Sequence, residues 1–265
     1  MAIDYTIDYS CLPKDQLGSS GIMLRLKGET RAHLIIQLFR EKGDDRPPSK
    51  MGFEFTRRTP TGDEETRVIV VQDLLDEAAD LHPLEQHCQG CPANHTDRRF
   101  GCMGFIQYPI AEAAEDWLLD RLPVPDETLS WMLLKNGIEE FEYDGSSIEP
   151  LRNAEGVYFE TDQIASRKLG AFEVDANQIF EMIFSVGNIN PNHAALLLIF
   201  LHAIDRDLEA PTIMNIAPAL DDAVDRHPFL LHENDDDNLT IAELKRFFHA
   251  LYTAWTLDVR LILDV

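Results

Sequence analysis

Short runs of alternating or β-branched apolar residues dominate the first 75 positions of the chain. Runs of this length and composition, bounded by polar turn residues, are typical of β-strands. The predicted strands cover residues 2–9, 21–26, 51–58 and 66–72. Segments 41–50 and 59–65 are rich in Gly, Pro and Asp, which indicates turns. The start of the chain is therefore predicted to form a mostly antiparallel sheet.

The segment 29–43 is ambiguous between helix and strand. Its apolar run, "LIIQLF", is too short and too continuous for periodicity to decide between the two. We interpret this segment as a strand.

From residue 73 onward the apolar spacing becomes helical. The predicted helices cover 73–81, 109–122, 125–137, 175–184, 191–204 and 240–255. Asp175 with Gln178, and Thr240 with Glu243, have the spacing of a capping box. Two strands are predicted among these helices, at 157–160 and at the chain end, 257–265.

This order of elements predicts an α+β fold, in which an N-terminal, mostly antiparallel sheet packs on a helical C-terminal half. The organisation is a strand-rich lobe at 1–80, a Cys-rich metal-binding loop at 81–108, and a mainly helical lobe at 109–265 with a terminal strand. We found no internal repeat and no long linker. The three parts are therefore expected to form one compact unit.

The net negative charge of the chain limits the kinds of partner that it is expected to bind. The chain has 47 acidic and 23 basic residues, a formal net charge of −24, and 45% apolar residues. Nucleic acids and anionic membranes are bound through clustered Lys and Arg, so this balance argues against both. A protein partner with a basic surface fits better. The oligomeric state is not indicated.

The first ten residues contain two aspartates and lack the basic start and apolar run of a secretory signal. The longest apolar run, 194–201, is about half the ~18 residues that indicate a membrane span. We therefore expect a cytoplasmic protein with no membrane segment. In a reducing compartment, clustered cysteines favour metal binding or redox chemistry over lasting disulfides.

The most chemically informative stretch is 87–110, which contains three of the four cysteines. Two thiolates three positions apart, as in Cys88-x2-Cys91, can converge on one metal ion. Gly90 permits a tight turn between them, and Cys102 follows Cys91 after ten intervening residues. These three cysteines are predicted metal ligands.

A closed tetrahedral zinc site needs a fourth ligand. Cys11 is the preferred candidate, His95 is the alternative, and His87 and His82 are weaker ones. With His95 the spacing resembles the retroviral-type zinc knuckle, although two of its intervals differ. With Cys11 the layout resembles that of some iron–sulfur nucleases and helicases, again with different intervals. Neither resemblance assigns a family.

Both Zn²⁺ and a [4Fe–4S] cluster are consistent with thiolates in this setting. The thiols could also act as a redox pair without metal. Structural zinc is the leading interpretation, and the iron–sulfur cluster is the alternative cofactor.

One further segment, 232–244, resembles the second half of an EF-hand loop. His232 stands where that family has its first Asp, and Asp237 stands where it has its Gly. An acidic loop that leads into a helix is the simpler interpretation.

No nucleophile motif, zincin motif or phosphate-binding glycine loop occurs in the chain. The sequence therefore predicts an interaction or regulatory module with a structural zinc loop. An iron–sulfur or thiol redox protein, or an enzyme whose site is assembled from scattered residues, is the alternative.

Overall fold

A computed structural model describes residues 2–58, 64–154 and 156–264. Most of the predicted turn at 59–65 lies outside the described residues. Within these ranges the strands are β1 (Ala2–Ile7), β2 (Gly52–Arg58), β3 (Glu64–Val70), β4 (Met103–Gln107), β5 (Ser166–Leu169), β6 (Phe172–Asp175), β7 (Asn188–Ile189) and β8 (Leu261–Asp264). The α-helices are α1 (Leu12–Glu41), α2 (Val71–Ala78), α3 (Glu112–Asp120), α4 (Thr128–Glu140), α5 (Glu149–Arg152), α6 (Ala176–Phe184), α7 (Pro191–Phe200), α8 (Ala210–Met214), α9 (Ala223–Arg226) and α10 (Leu239–Thr256).

The predicted α+β class is confirmed, and the strands pair antiparallel. The prediction that the sheet is N-terminal is wrong, because strands occur throughout the chain. The largest sheet has the order β4-β1-β8-β7, so it combines the start, the middle and the end of the sequence. The strand predicted at 257–265 is present over the shorter range Leu261–Asp264 as β8, which pairs with β1.

Two compact units are present. One contains residues 2–9 together with the described residues from 91 onward, and the other contains residues 10–90. No helix in the described ranges is long and apolar enough to cross a membrane.

In the 10–90 unit, the predicted strands at 21–26 and 29–43 are wrong, because both segments belong to the long helix α1. Ala32 is fully buried in a small core, and Ile35, Ile36 and Phe39 pack against that core. These positions have the i, i+3, i+4, i+7 spacing of one helix face. The helix is interrupted at Gly18, whose φ of 69° lies in the left-handed region that favours glycine.

In the larger unit, α10 supplies much of the core. The helix predicted at 240–255 is confirmed, and its Leu244, Phe247, Phe248, Leu251 and Trp255 are fully buried. The Phe247 ring meets the Tyr5 ring of β1 edge to face, with centroids 5.3 Å apart. Burying aromatic rings in this way anchors the helix on the large sheet.

The N-terminal cap of α6 is as predicted, and that of α10 is not. Asp175 and Gln178 form the predicted capping box at α6. At α10 the N-cap is Asn238, whose Oδ1 accepts a hydrogen bond from the backbone N–H of Ile241 at 2.8 Å. The predicted Thr240–Glu243 capping box is therefore wrong. The predicted strand at 157–160 forms only an isolated bridge between Phe159 and Ile110.

Candidate functional site

None of the four cysteines forms a disulfide bond. Cys11 lies just before α1, and Cys88 ends a 3-10 helix, so both belong to the 10–90 unit. Cys91 and Cys102 belong to the larger unit. Across the described ranges, no three His, Cys, Asp or Glu side chains are grouped so that they could hold a metal ion. Zinc or iron–sulfur binding by these cysteines stays a prediction.

The loop that follows Cys91 is closed by its own hydrogen bonds. The Cys91 carbonyl accepts from the N–H of Asn94 at 2.9 Å. The Asn94 side-chain amide then donates to the Arg98 carbonyl at 2.9 Å, and the Gly101 N–H donates to the same carbonyl at 3.1 Å. These bonds hold the loop in one conformation around His95, whose N–H reaches the Gly101 carbonyl at 3.3 Å.

The end of this loop is fixed to the large sheet and to α10. The Cys102 carbonyl accepts from the N–H of Ile7 in β1 at 2.9 Å. The buried Glu243 carboxylate accepts from the N–H of Gln107 at 2.7 Å, and burial raises its pKa. Thr240 Oγ1 accepts from the N–H of Ala111 at 3.3 Å. Thr240 and Glu243 therefore position β4 and the chain after it instead of capping their own helix.

His95, the alternative fourth ligand, packs against another histidine. Its ring centroid lies 5.2 Å from that of His249, with the rings nearly perpendicular. Both His95 ring nitrogens are buried and have no hydrogen-bond partner among the described residues. Burial, together with the nearby His249 and Arg246, lowers the pKa of His95 to about 3. His95 is therefore a neutral imidazole at physiological pH.

In segment 232–244, which resembles part of an EF-hand loop, the Asp237 carboxylate is paired with a lysine of the protein itself. Both carboxylate oxygens of Asp237 accept from the Lys245 ammonium, at 2.6 and 2.7 Å, and both side chains are buried. Burial alone would raise the pKa of Asp237, but its hydrogen bonds to Lys245 lower it. Lys245 thus supplies the positive charge that a calcium ion would bring.

A second feature of interest is the irregular segment between α7 and α10, which the sequence did not single out. Two aromatic side chains of α10 hold its backbone. The Trp255 indole N–H donates to the Ile216 carbonyl at 2.9 Å, and the Tyr252 hydroxyl donates to the His227 carbonyl at 3.0 Å. These bonds give the segment a fixed shape although it contains little regular structure.

Part of this segment, residues 210–226, exposes apolar side chains. Met214, Leu220 and Val224 are 83%, 58% and 56% exposed. A cavity of about 220 Å³ opens in the same place, lined by residues that include Ile216, Leu220, Ala223 and Trp255. Leu220 lines this cavity. Met214 and Val224 are next in sequence to the lining residues Asn215 and Ala223. We call residues 210–226, with this cavity, the 210–226 surface.

Acidic residues surround the 210–226 surface in the sequence. Six exposed ones lie between positions 205 and 225: Asp205, Asp207, Glu209, Asp221, Asp222 and Asp225. The two arginines of this stretch are already paired. Arg206 forms an ion pair with Glu127, and Arg226 forms one with Asp222, each at 2.8 Å. The signal in the sequence is a run of isolated apolar residues and prolines among acids, which has no period and is not predicted to form an element.

Compared with known proteins, the chain matches no family model, no curated protein sequence and no solved structure.

Proposed function

We propose that this protein is a cytoplasmic, non-catalytic interaction module that binds a basic protein partner through the 210–226 surface. The observation that supports the proposal is the group of three exposed apolar side chains beside a cavity, within a strongly acidic stretch. Single exposed apolar residues are ordinary on protein surfaces, but clustered ones next to a concavity mark interaction sites. The partner segment is expected to contain at least one large apolar residue flanked by Lys or Arg.

The cavity fits the apolar part of such a segment. Its volume of about 220 Å³ exceeds that of the ~150 Å³ engineered cavities that hold a benzene molecule. One large apolar side chain could enter it and contact Leu220, which lines the cavity and is exposed. Buried anchors of this kind supply most of the affinity at protein interfaces.

The acidic residues around the 210–226 surface favour a basic partner protein over a second copy of this chain. A second copy of this chain would bring a net charge of −24 and the same acidic residues, so self-association through this surface is opposed. Lys and Arg on a different protein would instead be attracted by the acidic residues. This attraction increases the association rate and discriminates against acidic partners.

The fixed backbone also favours binding. Because Trp255 and Tyr252 already hold the carbonyls of Ile216 and His227, little ordering remains to be done when a partner docks. A surface that is ordered beforehand loses less conformational entropy on binding.

In this proposal the cysteine segment binds Zn²⁺ as a structural element, through Cys88, Cys91, Cys102 and either Cys11 or His95. The donor set supports it, since thiolates and imidazoles are the ligands of structural zinc sites. The two buried, unpartnered nitrogens of His95 are consistent with its role as the alternative ligand.

A displayed library of random peptides, selected on the immobilised full chain, tests the proposed function. The selected peptides are expected to combine a large apolar residue with Lys or Arg. Their binding should be lost in a Met214→Glu, Leu220→Glu double variant and should weaken as salt is raised, because exposed charges are screened over ~8 Å at physiological ionic strength.

Phe141→Glu is the matched control, because Phe141 is 69% exposed and lies at the end of α4, outside the 210–226 surface. The control should bind the selected peptides like the unmodified chain. Selection of acidic or uncharged peptides, or equal binding by the double variant, contradicts the proposal.

A further inference from the structure

A separate cavity of about 260 Å³ lies where the loop after Cys91, the segment before α10 and α10 itself meet. We call it the imidazole pocket, because three histidines line it. Its lining includes His95, Arg98, His232, Glu233, Arg246 and His249. The proposed function involves one residue of this pocket, His95, as the alternative zinc ligand, and assigns no role to the pocket itself.

The three imidazoles are linked through one aromatic ring. His249 stacks on Phe229, with centroids 4.8 Å apart and 19° between the rings. His232 meets the edge of the same Phe229 ring at 5.9 Å, and His95 meets His249 at 5.2 Å. Packing therefore holds all three imidazoles at the walls of one cavity.

The protein's own groups in the described ranges leave the ring nitrogens of these imidazoles without hydrogen bonds. Among the described residues, no hydrogen bond joins a ring nitrogen of His95, His232 or His249 to a protein group, and those of His95 are buried. A neutral imidazole has one N–H donor and one acceptor nitrogen. The pocket thus presents hydrogen-bonding capacity that the protein itself leaves unsatisfied.

Of the three basic side chains that line the pocket, two are in ion pairs with carboxylates of the described residues and one is not. Lys245 is held by Asp237, and the Arg246 guanidinium is paired with Glu233 at 3.0 Å. Arg98 is exposed, and its guanidinium makes no ion pair or hydrogen bond with any residue in the described part of the chain. Arg98 is therefore the cation that a ligand could bind without breaking an existing pair.

The local backbone is shaped to place Arg98 and His95 there. A Cβ at position 101 would overlap Asn94 Oδ1 and Thr96 Oγ1, so only glycine fits between them. Asp97 and Phe100 each have a φ of 54°, in the left-handed region, which a bulky residue such as Phe100 rarely adopts. Strained backbone of this kind is kept where the surrounding structure requires it, often at binding sites.

Three classes of ligand can be compared. The lining carries three basic side chains, Arg98, Lys245 and Arg246, against the carboxylates of Asp97 and Glu233. Among the described residues no three His, Cys, Asp or Glu side chains are grouped to hold a metal ion, and an apolar ligand would leave buried imidazole nitrogens unpaired. An oxyanion would pair with Arg98 and accept hydrogen bonds from the imidazole N–H groups. We propose that the imidazole pocket binds a small molecule through an oxyanion group, either a carboxylate or a phosphate.

The test is a titration of the full chain with inorganic phosphate and, separately, with malonate, at constant ionic strength and followed by NMR of the histidine ring signals. We expect saturable shifts of His95, His232 and His249 with at least one of the two anions. The anion that binds more tightly identifies the phosphate or the carboxylate as the recognised group. Sodium chloride at the same ionic strength should produce no saturable shift.

Arg98→Ala and Arg99→Ala form a matched pair, because both side chains are exposed and only Arg98 lines the pocket. Loss of a charge-assisted hydrogen bond should weaken binding about tenfold or more in Arg98→Ala. Arg99→Ala should bind within about twofold of the unmodified chain. Absence of saturation with both anions, an equal response to chloride, or equal effects of the two substitutions overturns the proposal.

Discussion

The Glu115 carboxylate and the Arg152 guanidinium form a bidentate ion pair in the core, with N–O distances of 2.9 and 3.0 Å. Both side chains are almost completely buried. Arg152 also donates to the Asn177 side chain and to the carbonyls of Thr161 and Gln163. One guanidinium thus connects α3, α5, α6 and the loop before β5.

Replacing Arg152 by Met is expected to lower the free energy of unfolding by about 3–5 kcal/mol. The reason is that it leaves the Glu115 carboxylate buried without a countercharge. Urea denaturation at pH 7 measures the loss. Arg226→Met is the control, because it breaks the exposed Arg226–Asp222 pair, and it should cost less than about 1 kcal/mol. Equal losses in the two variants would show that the buried pair contributes no more to the free energy of unfolding than the exposed pair does.

His95 gives the stability of the protein a defined dependence on pH. Its pKa is lowered to about 3 in the folded protein, against about 6.5 in the unfolded chain. As pH falls below about 6.5, the unfolded chain binds a proton that the folded protein does not, so stability is lost.

In His95→Gln the same position cannot titrate. The stability lost between pH 7 and pH 5 should therefore be smaller than in the unmodified chain by about 1–2 kcal/mol. Other histidines with a lowered pKa, such as His249, contribute to the loss in both proteins. Urea denaturation at the two pH values gives the comparison, and an identical loss would mean that His95 titrates normally.

Long helix α1 shows why part of the fold could not be predicted from the sequence. The apolar run in 29–43 does not distinguish helix from strand by itself. Its helical face becomes evident only once Met51 and Val71, which are distant in sequence, are known to be buried with Ala32. Tertiary packing thus decides the conformation where local periodicity is weak.

The elements that were predicted correctly have strong local signals. The Asp175–Gln178 box fixes the start of α6, and the stripe along α10 has a regular period. Thr240 and Glu243 have the same local spacing but serve the chain around β4, because Asn238 already caps the helix. A local motif cannot show that a distant backbone N–H will compete for its side chains.

The candidate sites also differ in whether a local sequence pattern could predict them. The cysteine pattern is local, and it predicted candidate ligands. The imidazole pocket joins residue 95 to residues 232 and 249, and only the fold brings these positions together. The apolar residues of the 210–226 surface have no period, so their exposure could not be anticipated.

The zinc prediction is tested by elemental analysis of protein purified under reducing conditions. We expect about one zinc per chain, and less in Cys91→Ser. His33→Ala, which alters an exposed histidine of α1 outside the candidate ligands, should retain the metal. Iron with inorganic sulfide would support the iron–sulfur alternative instead. Neither metal in the unmodified protein would contradict metal binding by these cysteines.

The proposed interaction module is tested most directly by hydrogen–deuterium exchange of the full chain, with and without a selected apolar, basic peptide. Bound peptide should slow exchange across 210–226 and at the end of α10 around Trp255. The Met214→Glu, Leu220→Glu variant should show no such protection. Protection confined to other parts of the chain, with 210–226 unchanged, would contradict the account.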